Sequence, residues 1–157
     1  MKKTFRIIKK LIPQKVDMLI YYFPKSTTKL PVPEVDGAPL VQIGNEYLIT
    51  SKEILIHRSR VFFNSNLLNN FNFAKPYVII GDCLTDDRFR GKGIYPLVIQ
   101  YLAQAAFPLY QTFILVSPDN VSSIKGIEKA GFLFMARLQG LRIFNFYVQK
   151  KITIWKP

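Results

Sequence analysis

The fold is decided by residues 77–106, which read YVIIGDCLTDDRFRGKGIYPLVIQYLAQAA. The first nine residues form a short apolar run rich in β-branched and aromatic residues, which predicts a buried strand. From Ile94 onward the apolar residues follow the 3.6-residue period of one helical face, which predicts a helix. A strand therefore leads through a short turn into the start of a helix.

The turn between this strand and this helix has the composition of an anion site. The N–H groups of a first helical turn are unpaired and carry partial positive charge, and glycines let a ligand approach the backbone. Arg88, Arg90 and Lys92 add full charges next to Gly91 and Gly93. The turn therefore predicts a site for a pyrophosphate-sized anion. The alternative is an ordinary basic turn on the surface.

Composition predicts a single domain over residues 1–157. Hydrophobic residues make up 49% of the 157-residue chain, which is enough for one core. The single cysteine, Cys83, allows no disulfide within the chain and favours the reducing cytoplasm. No apolar run approaches the ~18 residues of a membrane-spanning helix. One histidine and one cysteine cannot supply a zinc site, so no metal is expected.

The charge balance predicts an anionic partner. Lys and Arg number 22 against 10 Asp and Glu, which gives a formal net charge of +12 at pH 7. Such a surface attracts a coenzyme with several phosphates, a nucleotide-linked substrate, nucleic acid or anionic lipid. It is equally compatible with a solvated basic face that keeps the protein in solution.

The segments before the central strand alternate between apolar patterns and turn signals. Residues 4–12 predict a short amphipathic helix that ends before Pro13, and residues 17–23 predict a strand or a second helix. Proline-rich residues 24–39 predict an extended surface loop. The remaining predictions are a hairpin of residues 40–43 and 46–50, a strand over residues 53–63, and a loop or wide turn over residues 64–76.

The segments after the central helix predict a second strand–helix unit and a final hairpin. A short buried strand over residues 113–116 leads to a helix that is capped either by Ser117 or by Asn120. Gly131 fits the left-handed position just past the end of this helix. The sheet is completed by strands over residues 132–138 and 141–148, joined by a turn at Gln139-Gly140, with residues 152–155 extending the last strand.

Two motifs in this region resemble a known family. The turn Arg88-Phe89-Arg90-Gly91-Lys92-Gly93 resembles the Gln/Arg-x-x-Gly-x-Gly/Ala signature of the GNAT acyltransferase superfamily. The segment Asn120-Val121-Ser122-Ser123, followed by Glu128-Lys129-Ala130-Gly131-Phe132, resembles that family's Asn-x-x-Ala/Ser…Glu-Lys-x-Gly-Phe pattern. The two motifs occur in the family's order, with a predicted strand between them, and the resemblance covers residues 77–132.

The resemblance implies an α/β fold of mixed α+β type, with a central, mostly antiparallel sheet that is splayed in the middle and flanked by helices. It implies acetyl-CoA as the acyl donor, with the pantetheine arm between the 77–85 and 113–116 strands. The residues implied to bind the coenzyme are Cys83, Leu84, Thr85, Arg88, Phe89, Arg90, Gly91, Lys92, Gly93, Ile94, Asn120 and Ser123. Lys125 and Lys129 either reach its outer phosphates or lie on a solvated helix face.

The resemblance also implies direct attack of an amine on the thioester, whose oxygen is held by a backbone N–H near residues 83–85. Many family members carry a tyrosine that protonates the departing thiolate, and Ile127 occupies that position here. Tyr95 is the candidate substitute for this acid, and helix packing is its alternative role.

Two residues are candidates for the general base. Asp82 lies in an apolar run, where desolvation raises the pKa of a carboxyl group. Alternatively, the run bends at Gly81 and Asp82 is solvated or hydrogen-bonded. His57 is the sole histidine in the sequence and is either a base or a packed strand residue. Cys83 could act as a nucleophile, but a strand cysteine is usually inert packing.

The main functional prediction is an acetyl-CoA-dependent N-acetyltransferase. The alternatives are a nucleic-acid-binding module on the same fold and an inactive coenzyme A sensor, which Ile127 favours. The motifs also resemble GNAT proteins of bacterial surface-polysaccharide pathways, which implies an amino sugar or a nucleotide-linked amino sugar as acceptor. Residues 24–39 and 64–75 are the expected walls of the acceptor pocket. The expected partners are this small amine and, as an option, a second copy of the chain, but neither nucleic acid nor a membrane.

Overall fold

The computed structural model describes residues 12–24 and 28–154. The strands are β1 (Gln14–Tyr22), β2 (Glu34–Val35), β3 (Ala38–Pro39), β4 (Val41–Ile43), β5 (Glu46–Ser51), β6 (Ile54–Phe62), β7 (Tyr77–Thr85), β8 (Gln111–Val116), β9 (Leu133–Ile143) and β10 (Phe146–Ile154). The helices are α1 (Asn66–Asn70), α2 (Ile94–Ala106) and α3 (Val121–Lys129), and a 3₁₀ turn spans Asp87–Phe89. None of the described helices is long and apolar enough to cross a membrane.

Eight of these strands form one sheet in the order β10-β9-β1-β8-β7-β6-β5-β4, and β2 pairs with β3 in a separate ladder. β7 and β8 are parallel and are connected through α2. The other neighbouring strands of the sheet are antiparallel. The sheet is therefore mixed and mostly antiparallel, which confirms the predicted fold class.

Apolar side chains cover both faces of the sheet. On one face Ile80 of β7 packs in a cluster with Val98 of α2 and Ile127 of α3. On the other face Ile79 packs in a cluster with Leu68 of α1. Successive strand residues point to opposite faces, so a strand covered on both sides needs a continuous apolar run. This explains why the first four residues of β7 are all apolar.

The pairing between β7 and β8 covers only the first part of both strands. Their register joins Tyr77 to Gln111 and ends at Ile79 and Phe113. Beyond that point β7 continues along β6 and β8 continues along β1. A register shift opposite Arg58–Arg60 places an extra residue in β7, and such a bulge bends a strand. The C-terminal ends of β7 and β8 therefore separate, which confirms the splayed sheet.

Several sequence predictions are confirmed by the described elements. The central strand, the helix that begins at Ile94, the hairpin of β4 and β5, and the strand over residues 53–63 are present. The segment predicted over residues 17–23 as a strand or a helix lies in strand β1, which begins at Gln14 and ends at Tyr22. Asn120 caps α3, because its side chain accepts a hydrogen bond from the Ser123 N–H. Gly131 is left-handed with φ +87°.

Other predictions were wrong or incomplete. The loop predicted over residues 64–76 contains α1, whose start Ser65 caps by accepting from the Leu68 N–H. The loop predicted over residues 24–39 contains the β2–β3 ladder. The predicted turn at Gln139-Gly140 lies inside β9. Two predictions fall outside the described residues: the helix over residues 4–12, except for residue 12 itself, and the end of the last strand at Trp155.

The prediction of a turn at Gln139-Gly140 was wrong because Gly140 lies inside β9, where its lack of a side chain lets the neighbouring strand approach closely. A Cβ on Gly140 would lie 3.0 Å from the Val148 carbonyl oxygen, where the β9–β10 pairing shifts register. The reversal of the chain occurs instead at residues 144–145, and Phe144 adopts a left-handed φ of +52°. Phe144 itself gives no turn signal, whereas Asn145 beside it is a common turn residue.

Candidate active site

A cavity of about 580 Å³ lies at the C-terminal end of β7, between the start of α2 and the face of α3. Many predicted site residues line it: Cys83, Leu84, Thr85, Phe89, Arg90, Gly91, Gly93, Ile94, Tyr95, Asn120 and Ser123. Four predicted residues are not on its wall: Arg88, Lys92, Asp82 and His57. The structure thus brings the two sequence motifs together around one space.

The turn before α2 presents backbone to this cavity. Gly91 and Gly93 both adopt left-handed conformations, with φ of +76° and +78°. Only glycine takes up such dihedrals without strain. Gly93 immediately precedes α2, so no side chain caps the first N–H groups of that helix, and its first turn holds no acidic residue. The helix start therefore keeps its donors and its partial positive charge for a ligand.

Among the described residues, three cations lie on the cavity wall, whereas Arg88 and Lys92 do not. Arg90, Lys125 and Lys129 line the cavity, and its described wall contains no Asp or Glu. A Cβ on Gly93 would lie 3.9 Å from Lys129 Nζ, so this ammonium group reaches the start of α2. Within residues 12–24 and 28–154, neither lysine has an ion-pair partner. The cavity is therefore a positively charged pocket open to an anion.

Arg88 and Lys92, which were predicted to bind the coenzyme, point to other partners. Arg88 forms a bidentate pair with Asp86, at 2.8 and 2.9 Å, and the Arg88 hydrogen bonds hold the pKa of Asp86 at about 2. Lys92 Nζ lies 4.9 Å from the centroid of the Phe89 ring. These two cations stabilise the turn and add to its field, and they do not form the cavity wall.

Two contacts of α3 fix its position beside the cavity. Asn120 caps the helix, and the Tyr21 hydroxyl on β1 donates to the Glu128 carboxylate at 3.0 Å. Burial and the Glu128 carboxylate raise the pKa of Tyr21 to about 12, so the phenol keeps its proton. The acid of the predicted Glu-Lys pair thus has a structural role, and its lysine neighbour faces the pocket.

The cavity wall includes three α3 and α2 residues for which no role was predicted: Pro96, Ser122 and Gly126. On α3, positions 122, 126 and 129 follow helical spacing and therefore share one face. That face could have been derived from the motif once Asn120 and Ser123 were assigned to the coenzyme.

Tyr95 occupies the inner part of the wall, at the first turn of α2. A Cβ on Gly126 would lie 2.6 Å from Tyr95 Cδ1, so the tyrosine ring lies directly on the backbone of α3. Burial, with a smaller effect of Cys83, raises the pKa of the phenol well above its ordinary value. Tyr95 is therefore protonated at neutral pH, as a weaker acid than a free tyrosine, and can donate a hydrogen bond inside the cavity.

His57 is completely buried behind the cavity wall. Its Nδ1 lies 2.8 Å from Thr85 Oγ1 and its Nε2 lies 2.8 Å from Ser59 Oγ, so both ring nitrogens are occupied. Burial lowers the pKa of the imidazole to about 4. The histidine predicted as a general base is a neutral, enclosed side chain that cannot touch a ligand directly.

The buried histidine predicts a specific pH dependence of stability. The folded-state pKa of about 4 lies below the ordinary 6.5, so between these values the unfolded chain binds a proton that the native state does not. Stability should therefore fall as the pH drops from about 6.5 to about 4, by about 3 kcal/mol at ~1.4 kcal/mol per pH unit. Urea unfolding at a series of pH values measures this loss. His57→Gln should flatten the slope in that window, and an unchanged slope would contradict the assignment.

Cys83 is a half-buried thiol at the cavity wall. It accepts a hydrogen bond from Ser59 Oγ at 3.2 Å, and burial raises its pKa to about 11. A nucleophilic cysteine requires a lowered pKa and a cationic setting. The structure therefore favours the inert, packed role for Cys83 over covalent catalysis.

The reactivity of this sole cysteine tests that assignment. Alkylation by iodoacetamide should accelerate about tenfold per pH unit from pH 7 to pH 10, because only the thiolate reacts and its fraction grows tenfold per unit below the pKa. The labelling rate is followed by mass spectrometry of the native protein. A rate that levels off below pH 8 would show an activated thiolate and would restore Cys83 as a candidate nucleophile.

Asp82 lies at the bulge of β7 and is not desolvated. Its carboxylate pairs with Arg58 at 3.3 Å and with Arg60 at 2.5 Å, and 43% of its side chain is exposed. The two arginines alternate along β6 with His57 and Ser59, so they and Asp82 lie on the opposite face of the sheet from the cavity. The hydrogen-bonded alternative for Asp82 therefore holds, and the desolvated interpretation was wrong. Its left-handed φ of +49° marks the bulge as a constrained point.

Comparison with solved structures finds this architecture in a protein named as an acetyltransferase from the GNAT family from Colwellia psychrerythraea. The TM-score is 0.57 at 16% sequence identity, and the match covers 91% of this chain and 62% of that one. This chain thus spans less than two thirds of the neighbour's length. No family model and no curated protein matches the sequence. At this identity the likeness shows the fold, and the chain has a GNAT-type fold.

Proposed function

We propose that this protein is an acyltransferase that transfers the acetyl group of acetyl-CoA to an amine. The observation that supports this proposal is the uncapped start of α2 behind Gly93, with the Lys129 ammonium next to it and the splayed end of β7 alongside. An anion-binding helix start beside an unpaired strand edge fits a ligand with phosphates at one end and amide groups along its length.

The coenzyme is proposed to follow the wall of the cavity. Its pyrophosphate would bind the backbone of residues 91–94, with Arg90, Lys125 and Lys129 near its phosphates. The pantetheine arm would run along Cys83–Thr85, where the backbone of β7 faces β8 without pairing to it. The Thr85 carbonyl oxygen already accepts from Arg90 Nε at 3.1 Å. The remaining unpaired strand groups need a partner, and the amides of the arm would supply one in the manner of an added strand.

The proposed reaction is direct attack of a neutral amine on the thioester carbonyl. A backbone N–H of β7 near Cys83 would stabilise the oxygen as negative charge develops. The new C–N bond forms, the C–S bond breaks and the coenzyme leaves as a thiolate. Tyr95 is proposed to protonate that thiolate, because its phenol is protonated and lines the cavity. Positioning of amine and thioester would supply much of the rate.

For the base we propose Asp82, which would accept the proton that the attacking amine loses. Asp82 lies beyond the last residue that pairs with β8, so it borders the gap from the face opposite the coenzyme. An acceptor that entered from that face would meet the thioester across the gap. His57 has no direct part in this scheme, since both of its ring nitrogens are occupied.

The acceptor is proposed to be an amino sugar or a nucleotide-linked amino sugar, in the cytoplasm of a bacterium that builds surface polysaccharide. A net charge of +12 attracts a nucleotide diphosphate and repels basic peptides during encounter. Of the two expected acceptor walls, α1 within residues 64–75 packs on the face opposite the coenzyme and is proposed as a wall. The β2–β3 ladder within residues 24–39 packs through Ala38 in the cluster on the coenzyme face, so it is not part of this proposal.

The acceptor class is tested by measuring coenzyme A release from acetyl-CoA with panels of amino sugars, their nucleotide conjugates, polyamines and basic peptides. We expect turnover on the amino sugars, with nucleotide conjugates preferred. Turnover on peptides or polyamines alone would contradict the acceptor but keep the acyltransferase.

A second candidate function is a coenzyme A-binding protein without catalysis. It is favoured by Ile127, a fully buried residue at the position where many GNAT enzymes carry the tyrosine that protonates the thiolate. Tight binding of acetyl-CoA with no release of coenzyme A on any acceptor would favour this candidate. Turnover on any amine would exclude it.

A further inference from the structure

A continuous chain of polar side chains runs behind the wall of the cavity. It starts at Thr85 Oγ1, passes through both ring nitrogens of His57, continues to Ser59 Oγ and ends at Cys83 Sγ. Thr85 and Cys83 line the cavity, whereas His57 and Ser59 are completely buried. Two wall residues are therefore connected through the interior by a relay of hydrogen bonds, here called the His57 relay.

The last link of the His57 relay determines the direction of all the others. The Cys83 thiol donates to the Gly81 carbonyl oxygen at 3.5 Å, and a carbonyl can only accept. The Cys83 sulfur then accepts from the Ser59 hydroxyl at 3.2 Å. Since the Ser59 hydrogen is used there, Ser59 Oγ must accept from His57 Nε2, which therefore carries the imidazole proton.

The same reasoning fixes the other end of the relay. A neutral imidazole carries one proton, so Nδ1 of His57 is an acceptor when Nε2 is the donor. The Thr85 hydroxyl must then donate its hydrogen to Nδ1, over 2.8 Å. Only the lone pairs of Thr85 Oγ1 remain for the cavity, so this side chain can accept from a ligand but cannot donate to it.

We infer that His57 is a positioning residue that holds the Thr85 hydroxyl as a hydrogen-bond acceptor for an N–H group of the bound ligand. Thr85 lies between Cys83, where the thioester is expected, and residues 91–94, where the pyrophosphate is proposed to bind. The group of acetyl-CoA that carries N–H donors in this region is the amide-containing pantetheine arm. The ligand part of the inference therefore rests on the proposed function, whereas the direction of the relay does not.

The direction of the relay is tested without any ligand. His57 is the sole histidine of the chain, so its two ring nitrogens give unambiguous signals in a two-bond ¹H–¹⁵N spectrum. We expect a proton on Nε2 and a bare Nδ1. A proton on Nδ1 would overturn the inference. Ser59→Ala removes the acceptor of Nε2–H without touching the cavity, and it should shift the proton towards Nδ1.

The effect on the ligand is tested with matched variants at Thr85. Thr85→Val keeps the shape but removes the acceptor, so the affinity for acetyl-CoA should fall about fivefold to tenfold, the worth of one neutral hydrogen bond. Thr85→Ser should restore affinity to within about twofold of the native value. The control is Thr112→Val: Thr112 is buried, lies outside this cavity, and its hydroxyl oxygen has no partner in the described structure. This control should leave affinity unchanged.

Ser59→Ala extends the test to a residue that never meets the ligand. Once the proton moves to Nδ1, the Thr85 oxygen accepts from His57 and its hydrogen faces the cavity. Affinity should then fall as in Thr85→Val, which a purely structural role of Ser59 would not produce. Unchanged affinity in a folded Thr85→Val protein would overturn the inference. Absence of acetyl-CoA binding by the native protein would instead overturn the proposed function, and the ligand assignment of Thr85 with it.

Discussion

Replacement of Gly93 by aspartate is expected to lower the affinity for acetyl-CoA by about 100-fold or more, because charge-assisted hydrogen bonds contribute ~1.5–3 kcal/mol each and several would be lost. The new carboxylate would lie where we propose the pyrophosphate, at the uncapped start of α2. It would also lie within reach of Lys129, whose ammonium group is 3.9 Å from the position of the added Cβ, and would neutralise it. Calorimetric titration with acetyl-CoA measures the effect.

Gly37→Asp is the matched control for this experiment. Gly37 has the same φ of +78° as Gly93, and a Cβ there meets no atom within 4 Å. It lies between β2 and β3, away from the cavity wall. The two variants therefore add the same charge at glycines of the same φ, and only Gly93→Asp should lose binding. Equal affinities in the two folded variants would show that the pyrophosphate does not bind at residues 91–94.

Replacement of Tyr95 by phenylalanine is expected to lower kcat about 100-fold, the lower end of what a positioned general acid contributes. The KM for acetyl-CoA should change little, because the ring and its packing on Gly126 are retained. Steady-state kinetics with the best acceptor from the screen separates the two constants. An unchanged kcat would show that Tyr95 only packs against α3 and that the thiolate departs without an acid.

Gly126→Ala tests the position of the Tyr95 ring by changing the residue on which the ring packs. Alanine is favoured over glycine inside a helix by about 1 kcal/mol, so the variant should fold. The new methyl group would lie 2.6 Å from Tyr95 Cδ1, so the ring must move. We expect a loss of kcat. Displacing the packed ring costs ~1–3 kcal/mol, which offsets or exceeds the helix gain, so kcat is compared on protein shown to be folded. A variant as active as the native protein would indicate that the position of the phenol does not matter.

Much of the central fold could be predicted because local and tertiary preferences agree there. The apolar run of β7 is long enough for both faces, and the period from Ile94 onward defines the buried face of α2. Asn120 and Gly131 mark the two ends of α3 through side-chain and backbone chemistry that is local in sequence. Such signals need no knowledge of what the element packs against.

The failures came from positions where tertiary contacts override local signals. Gly140 accommodates a neighbouring carbonyl inside β9, and the chain reverses at Phe144-Asn145, where the left-handed residue is the phenylalanine. Asp82 appeared desolvated by its apolar neighbours, yet the bulge turns it to two arginines that are remote in sequence. These outcomes depend on strand register, which the sequence of a single strand does not contain.

The candidate site shows the same division. The backbone contributors to the wall follow from the two motifs, whereas the partners of His57 depend on the pairing of β6 with β7. Strand alternation places Ser59 on the same face as His57, but no sequence pattern places Thr85 of the neighbouring strand against that ring. The exclusion of Arg88 from the wall likewise depends on its pairing with Asp86 two residues away, an arrangement that charge counting cannot foresee.

The claim that acetyl-CoA binds along β7 and the start of α2 is tested most directly by amide chemical-shift changes in ¹H–¹⁵N spectra of the native protein. On addition of acetyl-CoA, we expect the largest changes at residues 83–85 and 91–95, with smaller ones at residues 122–129. Changes confined to other surfaces, such as β4 or β10 at the edges of the sheet, or none at saturating coenzyme, would contradict it.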